Sequence, residues 1–319
     1  MIKRTTLLLA AALASSVATA GFPDKPLTLV VPYPPGGATD TVARIVAKSM
    51  GQRLGKTVVV DNRAGAGTVI GAGAVAQAAA DGYTLLISSN TTFTVNPALK
   101  SKLPYDAQKS FESIGLIGTS PLVLLANPAL PANNVKELVA MARAKPGTLA
   151  YGSFGNGTTS HFAGEMFKVV TGADILHVPY KGSAPAMTDL IGGQVQLTFD
   201  TNVAALPMIL SHKVKALAVT SAKRSPSMPN VPTVAEAGYP DFEMVPWIAI
   251  VAPRGLPAPV QQALGKALAD TLGDAAVRGD LEKAGVDVGW QPGSFYDARV
   301  AKELPLLRAY VHKAKIPTE

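Results

Sequence analysis

Five short segments of this chain carry the residue types that hold small anions. The first is Pro32-Tyr33-Pro34-Pro35-Gly36-Gly37-Ala38-Thr39-Asp40. Paired glycines let backbone N–H groups turn into one concavity, and a helix starting near Thr39 adds the positive end of its dipole. That arrangement binds a carboxylate or phosphate without any Lys or Arg. The same residues also make an ordinary strand-to-helix turn, with Thr39 or Asp40 as the cap. The second segment, Tyr151 to His161, crowds three glycines and four Ser/Thr hydroxyls ahead of a helix. Its candidate donors are Ser153, Gly155, Asn156 and Thr158. His161 alone is more often a packed helix residue than a base.

The third segment is Val178-Pro179-Tyr180-Lys181-Gly182-Ser183. Tyr180 can wall a cleft there, and Lys181 is either a charge near a ligand or a solvated one. In the fourth, Asp200-Thr201-Asn202, Asp200 can accept from a ligand amine or hydroxyl, or cap the helix that follows. The fifth, Ser88 to Phe93, offers Ser89 and Asn90 with one aromatic, Phe93.

Singly, each segment is a turn; their shared position gives them weight. Short β-branched runs alternate with amphipathic stretches from Leu27 onward, the order of a parallel sheet with right-handed crossovers. Strands are expected at Leu27–Val31, Thr57–Val60, Thr84–Ser88, Leu149–Tyr151, Ile175–Val178, Val195–Phe199 and Val214–Thr220. Helices are expected from Thr39 to Leu54, Val135 to Arg143, Thr159 to Val170, Ser183 to Ile191 and Val203 to Leu210. Three more close the chain: Ala258 to Leu272, Asp274 to Ala284 and Phe295 to His312. All five segments fall at carboxyl ends of expected strands, where open α/β sheets bind ligands. The two series imply two α/β lobes. Extended segments near Leu122–Ala126 and Trp247–Val251 imply a double crossover between them. Residues 21–122 plus 248–319 would form one lobe and 123–247 an inserted second lobe.

Other chemistries lack their residues. There is no Cys, which removes disulfides, thiolate zinc sites and Cys nucleophiles. Four His, at 161, 177, 212 and 312, have no metal-ligand spacing, so neither metal nor cofactor is expected. Ser153 is not in a G-x-S-x-G elbow, and no G-x-x-x-x-G-K-[ST] loop exists. A secreted hydrolase using Ser153 or His161 remains an alternative without an evident base–nucleophile pair. Gly65 to Gly71 misses the dinucleotide fingerprint by one residue.

The N-terminus reads as an address. Met1 to Arg4 is basic, Leu7 to Ala20 is apolar and small, and Ala18-Thr19-Ala20 fits an A-x-A cleavage pattern. Residues 1–20 are thus expected to be a signal peptide, and the mature protein to be periplasmic. Without Lys3 and Arg4 the chain has 27 basic and 22 acidic residues, net +5. The basic residues are scattered singly, a pattern that suits small anions over nucleic acid.

Four motifs carry a family resemblance: Pro34-Pro35-Gly36-Gly37-Ala38-Thr39-Asp40, Asp61-Asn62-Arg63-Ala64-Gly65-Ala66-Gly67, Pro179-Tyr180-Lys181-Gly182 and Ala252-Pro253-Arg254-Gly255-Leu256-Pro257. Over nearly the whole mature chain the sequence resembles the substrate-binding proteins of tripartite tricarboxylate transporters, the Bug family. It departs from the family pattern at Ile248-Ala249, after Trp247. The resemblance implies a type II Venus-flytrap fold: two lobes, each a mainly parallel sheet flanked by helices, with two crossover strands at the hinge. It implies a di- or tricarboxylate, acidic amino acid or aromatic acid as ligand, and membrane permease subunits as partner. Gly36 and Gly37 would hold one carboxylate, with Asp40 fixing their loop and Tyr33, Thr39, Ser89, Asn90 and Phe93 nearby. Ser153 to Thr158, Tyr180, Asp200 and Thr201 would contact the ligand from the other lobe. A monomer is expected, since the lobes must hinge. A sensor docking on a signalling receptor is the alternative within the same fold.

Overall fold

The runs Leu27–Val31, Leu122–Ala126 and Trp247–Pro253 are buried along nearly their whole length. Such runs have no face to offer water, so they form interior strands of sheets covered on both sides. The computed structural model describes residues 21–314, 316 and 318 and has two such sheets. The expected signal peptide lies outside the described residues.

The strands in chain order are β1 (Leu27–Val31), β2 (Val58–Asn62), β3 (Thr84–Ser89), β4 (Phe111–Thr119), β5 (Leu122–Ala126), β6 (Leu149–Ser153), β7 (Ile175–Pro179), β8 (Leu197–Thr201), β9 (Lys215–Val219), β10 (Trp247–Pro253) and β11 (Asp287–Pro292). The helices are α1 (Ala38–Leu54), α2 (Val69–Ala76), α3 (Asn96–Leu99), α4 (Val135–Ala144), α5 (Thr159–Thr171), α6 (Ser183–Ile191), α7 (Asn202–Leu210), α8 (Ala258–Gly273), α9 (Ala275–Lys283) and α10 (Phe295–Ala314).

The first sheet has the order β2-β1-β3-β10-β4-β11 and the second β7-β6-β8-β5-β9. Both follow one plan. Strands β1 to β4 of the first sheet correspond in place to β6 to β9 of the second, and all four run one way in each. The strand slotted into fourth place is delivered by the other half of the chain and runs antiparallel to both neighbours: β10 in the first sheet, β5 in the second. The sheets are therefore mixed in their pairings, where mainly parallel ones were expected. The reversal follows from the crossovers: a strand arriving from the other lobe enters the sheet at the end where the forward strands leave it.

The first crossover is short and buried. Ser120 and Pro121 alone separate β4 from β5. The return path, residues 220–246, ends beside them: the Ser120 N–H donates to Pro246 O at 3.0 Å, and the Thr220 hydroxyl donates to Met244 O at 2.6 Å. A third connection was not foreseen. Helix α10 starts in the first lobe, where Tyr296 and Val300 pack with Phe93 and Trp247. Its far end lies on the second lobe, with Val311 in that core and Tyr310 against Phe162, ring centroids 5.6 Å apart.

Strands β4 and β11 were missed in the sequence. Gly115 and Gly118 dilute the strand signal of β4, and the partner strand explains Gly118: a Cβ there would lie 2.3 Å from Asp287 O. Gly164 plays a similar part in the second lobe, since a Cβ would come within 2.1 Å of the buried Tyr151 ring. Gly164→Ala is expected to lower stability by about 1–3 kcal/mol through overpacking. Gly279→Ala, mid-helix with nothing within 4 Å, should raise it by about 0.5–1 kcal/mol. Urea midpoints at unchanged m-value check both.

Candidate functional site

Because the hinge joins Thr119 to Leu122 and Val219 to Trp247, the carboxyl ends of the forward strands in both lobes face one cleft. The β1–α1 loop then meets the loop after β7, and the end of β3 meets the start of α5. The lobes touch. The hydroxyls of Thr91 and Thr159 share a short hydrogen bond, the Thr159 N–H donates to Thr91 Oγ1 at 3.0 Å, and Thr159 Oγ1 donates to Asn90 Oδ1 at 3.3 Å. Gly182 packs on Pro34, and Gly67 on the Asn156 carbonyl. This is a closed cleft.

It encloses a chamber with about 40 Å³ open to the centres of water-sized molecules. Four helices begin at its wall, α5 among them with Thr159. Gly37, Ala38 and Thr39 open α1, Ser183 and Ala184 open α6, and Thr201 precedes α7; all line the chamber. None of the α1, α6 and α7 starts has a side-chain cap. Asn134 caps α4, Thr158 caps α5 and Asp274 caps α9, while α2, α3 and α8 also start without a side-chain cap. The first N–H groups of a helix have no partner inside it, so uncapped starts on one chamber can receive an anion; at α7 the Thr201 and Asn202 N–H groups already donate to Asp200 and to Pro121 O. The Thr39 hydroxyl also lines the chamber, those of Ser183 and Thr159 donate to Asp200 and Asn90, and no charged side chain lines the wall. Leu122, Phe154, Pro246 and Ile248 make the apolar remainder.

Of the residues expected from sequence, Tyr33, Gly37, Thr39, Ser89 and Thr201 line this chamber. Tyr33 is held by a 3.0 Å hydrogen bond between its hydroxyl and Ser89 Oγ. Gly155, Asn156, Thr158 and Tyr180 line a wider vestibule on the outer side of the Phe154 loop. Tyr180 donates to Asp189 at 2.7 Å, which fixes its ring.

The others act behind the wall or elsewhere. Gly36 spends its N–H on Asp40 Oδ2 at 2.9 Å. Asp40 also accepts from Arg44 and from Asn62, so it locks the loop without facing the chamber. Burial alone would raise its carboxyl, but the hydrogen bonds from Arg44, Gly36 and Asn62 outweigh that and hold it below its ordinary range. Asn90 is an interlobe contact. Phe93 is a correction: the chain leaves β3 through a π-helical turn, Thr91–Val95, which drives the ring inward. It stacks on Trp247 at 5.5 Å in a fully buried cluster. Ser153 is also fully buried, its Oγ 2.6 Å from His177 Nε2. The sequence showed no such pair, yet it lies under the loop, away from the chamber. Burial, then His161, hold His177 down to about 4.

Asp200 is fully buried between two of the helix starts. It accepts from the Ser183 hydroxyl at 2.8 Å and from the Thr201 N–H at 2.7 Å, and so orients both. Burial pushes it up to about 7, against the opposing pull of those hydrogen bonds. Among the described residues, no group of three or more His, Cys, Asp or Glu could hold a metal ion. Ser120, Leu122, Thr159, Ser183, Ala184, Pro246 and Ile248 were absent from the sequence-based site, and Phe154 entered it only within the range Ser153 to Thr158. Only the uncapped Gly182-Ser183 start carried a local signal; hinge residues enter the chamber through the crossover alone.

Folded Asp200 keeps its proton up to about pH 7, whereas the ordinary carboxyl releases it near 3.8. Between these values the folded state binds the extra proton, so the Asp200 contribution to stability declines as pH rises from about 4 to 7. His177 acts oppositely, costing stability as pH falls from 6.5 toward 4. The difference between wild type and Asp200→Asn isolates the first effect. The variant should gain stability relative to wild type as pH rises through this window, measured by urea denaturation at several pH values.

Two lobes joined by two crossover strands, closed over a chamber walled by helix starts, define the class of periplasmic binding proteins. The family model of the tripartite tricarboxylate transporter family receptor matches residues 42–307, and the chain belongs to that family. It is 41% identical over 268 residues to protein BugT of Bordetella pertussis, covering 84% of this chain and 82% of BugT. The structure of the periplasmic binding protein BugD superposes with TM-score 0.89 at 38% identity, covering 93% of this chain and 100% of BugD. Rpa4515 of R. palustris, solved with adipate, matches with TM-score 0.90 at 35% identity, covering 94% of this chain and 100% of Rpa4515. The chain is accordingly a solute-binding protein of the periplasmic-binding fold and not an enzyme.

Proposed function

We propose that the mature protein captures a small organic carboxylate in the cleft and delivers it to the membrane subunits of a tripartite-type transporter. The observation that carries this reading is the convergence of three uncapped helix starts on one chamber without a charged wall residue. Backbone N–H groups from both lobes take the carboxylate, so the anion bridges the lobes and favours the closed state by its differential affinity for it. A carboxylate suits these donors better than an ammonium or a neutral sugar, since the site offers dipole ends of one sign. Family membership supports the ligand class and the transporter, as does the adipate held by Rpa4515. Export through cleavage after Ala20, and lobes of residues 21–122 plus 248–319 and 123–247, complete the proposal.

Thermal unfolding of refolded, ligand-free protein against a panel of carboxylates tests it. The panel spans di- and tricarboxylates, acidic amino acids and aromatic acids. A ligand at 100 times its Kd should add about 2.7 kcal/mol, several degrees in Tm. No shift with any acid would overturn the reading.

Ala38→Pro tests the receptor itself. Ala38 is the first residue of α1, where proline is tolerated, and Gly37 already has the extended backbone that precedes a proline. The change deletes one N–H at the wall. It should leave the ligand-free Tm unchanged and weaken the best ligand about ten- to a hundredfold, the worth of one hydrogen bond to a charged group. Isothermal calorimetry reads the loss.

A further inference from the structure

The cleft has two compartments of very different size. The inner chamber offers about 40 Å³ to the centres of water-sized molecules, and the vestibule outside it about 690 Å³. Among the described residues, only Tyr33, Pro34 and Phe154 line both compartments. They are the partition.

Two of the three are fixed. Tyr33 is tied to Ser89 by its hydroxyl, and Pro34 is pinned by Gly182 of the other lobe, where a Cβ would lie 3.1 Å from the proline ring. Phe154 comes from the second lobe, is half-buried and packs against that lobe's apolar core. Its side chain has only van der Waals contacts to hold it, and it reaches the partition from a loop. The two compartments also differ in charge. The chamber wall carries no charged side chain, while Lys100 and Lys181 line the vestibule. A carboxylate beside Leu122 and Ile248, away from the helix starts, would lose its water without a replacement partner.

We infer that Phe154 sets the chain length of the acid this protein accepts. A short acid lies wholly inside the chamber. A longer diacid has to pass the Phe154 ring, and its far carboxylate then reaches the vestibule lysines. This inference rests on the carboxylate reading above and adds the residue that decides which carboxylates are held.

The test uses refolded protein and unbranched diacids from malonate (three carbons) to azelate (nine), titrated by calorimetry into wild type, Phe154→Ala and Phe154→Leu. Wild type should bind the short members best. Phe154→Ala should move the optimum at least two carbons longer and raise the long-to-short affinity ratio at least tenfold. Phe154→Leu keeps the partition and should keep the wild-type order. Adding Lys181→Gln to Phe154→Ala should remove much of the gain for long diacids and leave short ones unchanged. If Phe154→Ala does not fold, Phe154→Val carries the same comparison. A Phe154→Ala protein with the wild-type length order overturns the partition and leaves carboxylate capture standing. A wild type that already prefers the longest acids also overturns it. No binding of any acid by any of these proteins overturns both.

Discussion

A helix leaves its first peptide N–H groups without a partner inside it, and three helices of this protein turn uncapped starts toward one chamber. Helices α1, α6 and α7 all begin at the chamber without side-chain caps. In the carboxylate reading those helix starts are the source of affinity. They also explain why a receptor for anions can dispense with Lys and Arg at its wall. Dipole ends fixed by the fold need no side chain to order and select by sign and by geometry.

Everything around the chamber serves to hold those helix starts in place. Asp40 clamps the first loop through Gly36, Arg44 and Asn62. Asp200 does the corresponding work for α6 and α7 through Ser183 and Thr201. The two carboxylates sit in comparable positions behind the wall and differ in charge state. Asp40 has a guanidinium beside it and stays ionised; Asp200 has only hydroxyl and amide donors, and burial raises it to about 7. A carboxyl near an anion is tolerable when it is paired or when it keeps its proton, and the two lobes use one solution each.

The repeated strand plan supplies the other requirement, that donors from both lobes meet. Each sheet takes one reversed strand from the other half of the chain, and the two-residue crossover at Ser120-Pro121 keeps the cleft ends adjacent. Helix α10 adds a third bridge, with its start beside Trp247 and its end against Phe162. Closure therefore rotates lobes that are tied at three places, and the hydroxyl pair Thr91–Thr159 marks where they meet.

Local pattern determined a good deal here. The β-branched runs, the glycine-terminated helices and the loops after β1, β3, β6 and β8 are set by neighbours within a few residues, so the alternation of elements and the ends that carry the loops were legible in one dimension. So was the absence of cysteine and of catalytic motifs. Which of the loop residues face the ligand was decided only in three dimensions. Phe93 and Ser153 sit in segments that look like their neighbours, yet a π-helical turn buries one and His177 engages the other. Ser120, Leu122, Pro246 and Ile248 reach the chamber because the crossovers bring residues 120 and 246 to one point. Strand β4 gave a weak signal because its glycines answer to a partner strand some 170 residues away. Side-chain chemistry and spacing are properties of the chain, but burial and orientation are properties of the contacts, and those exist only after the lobes have closed on each other.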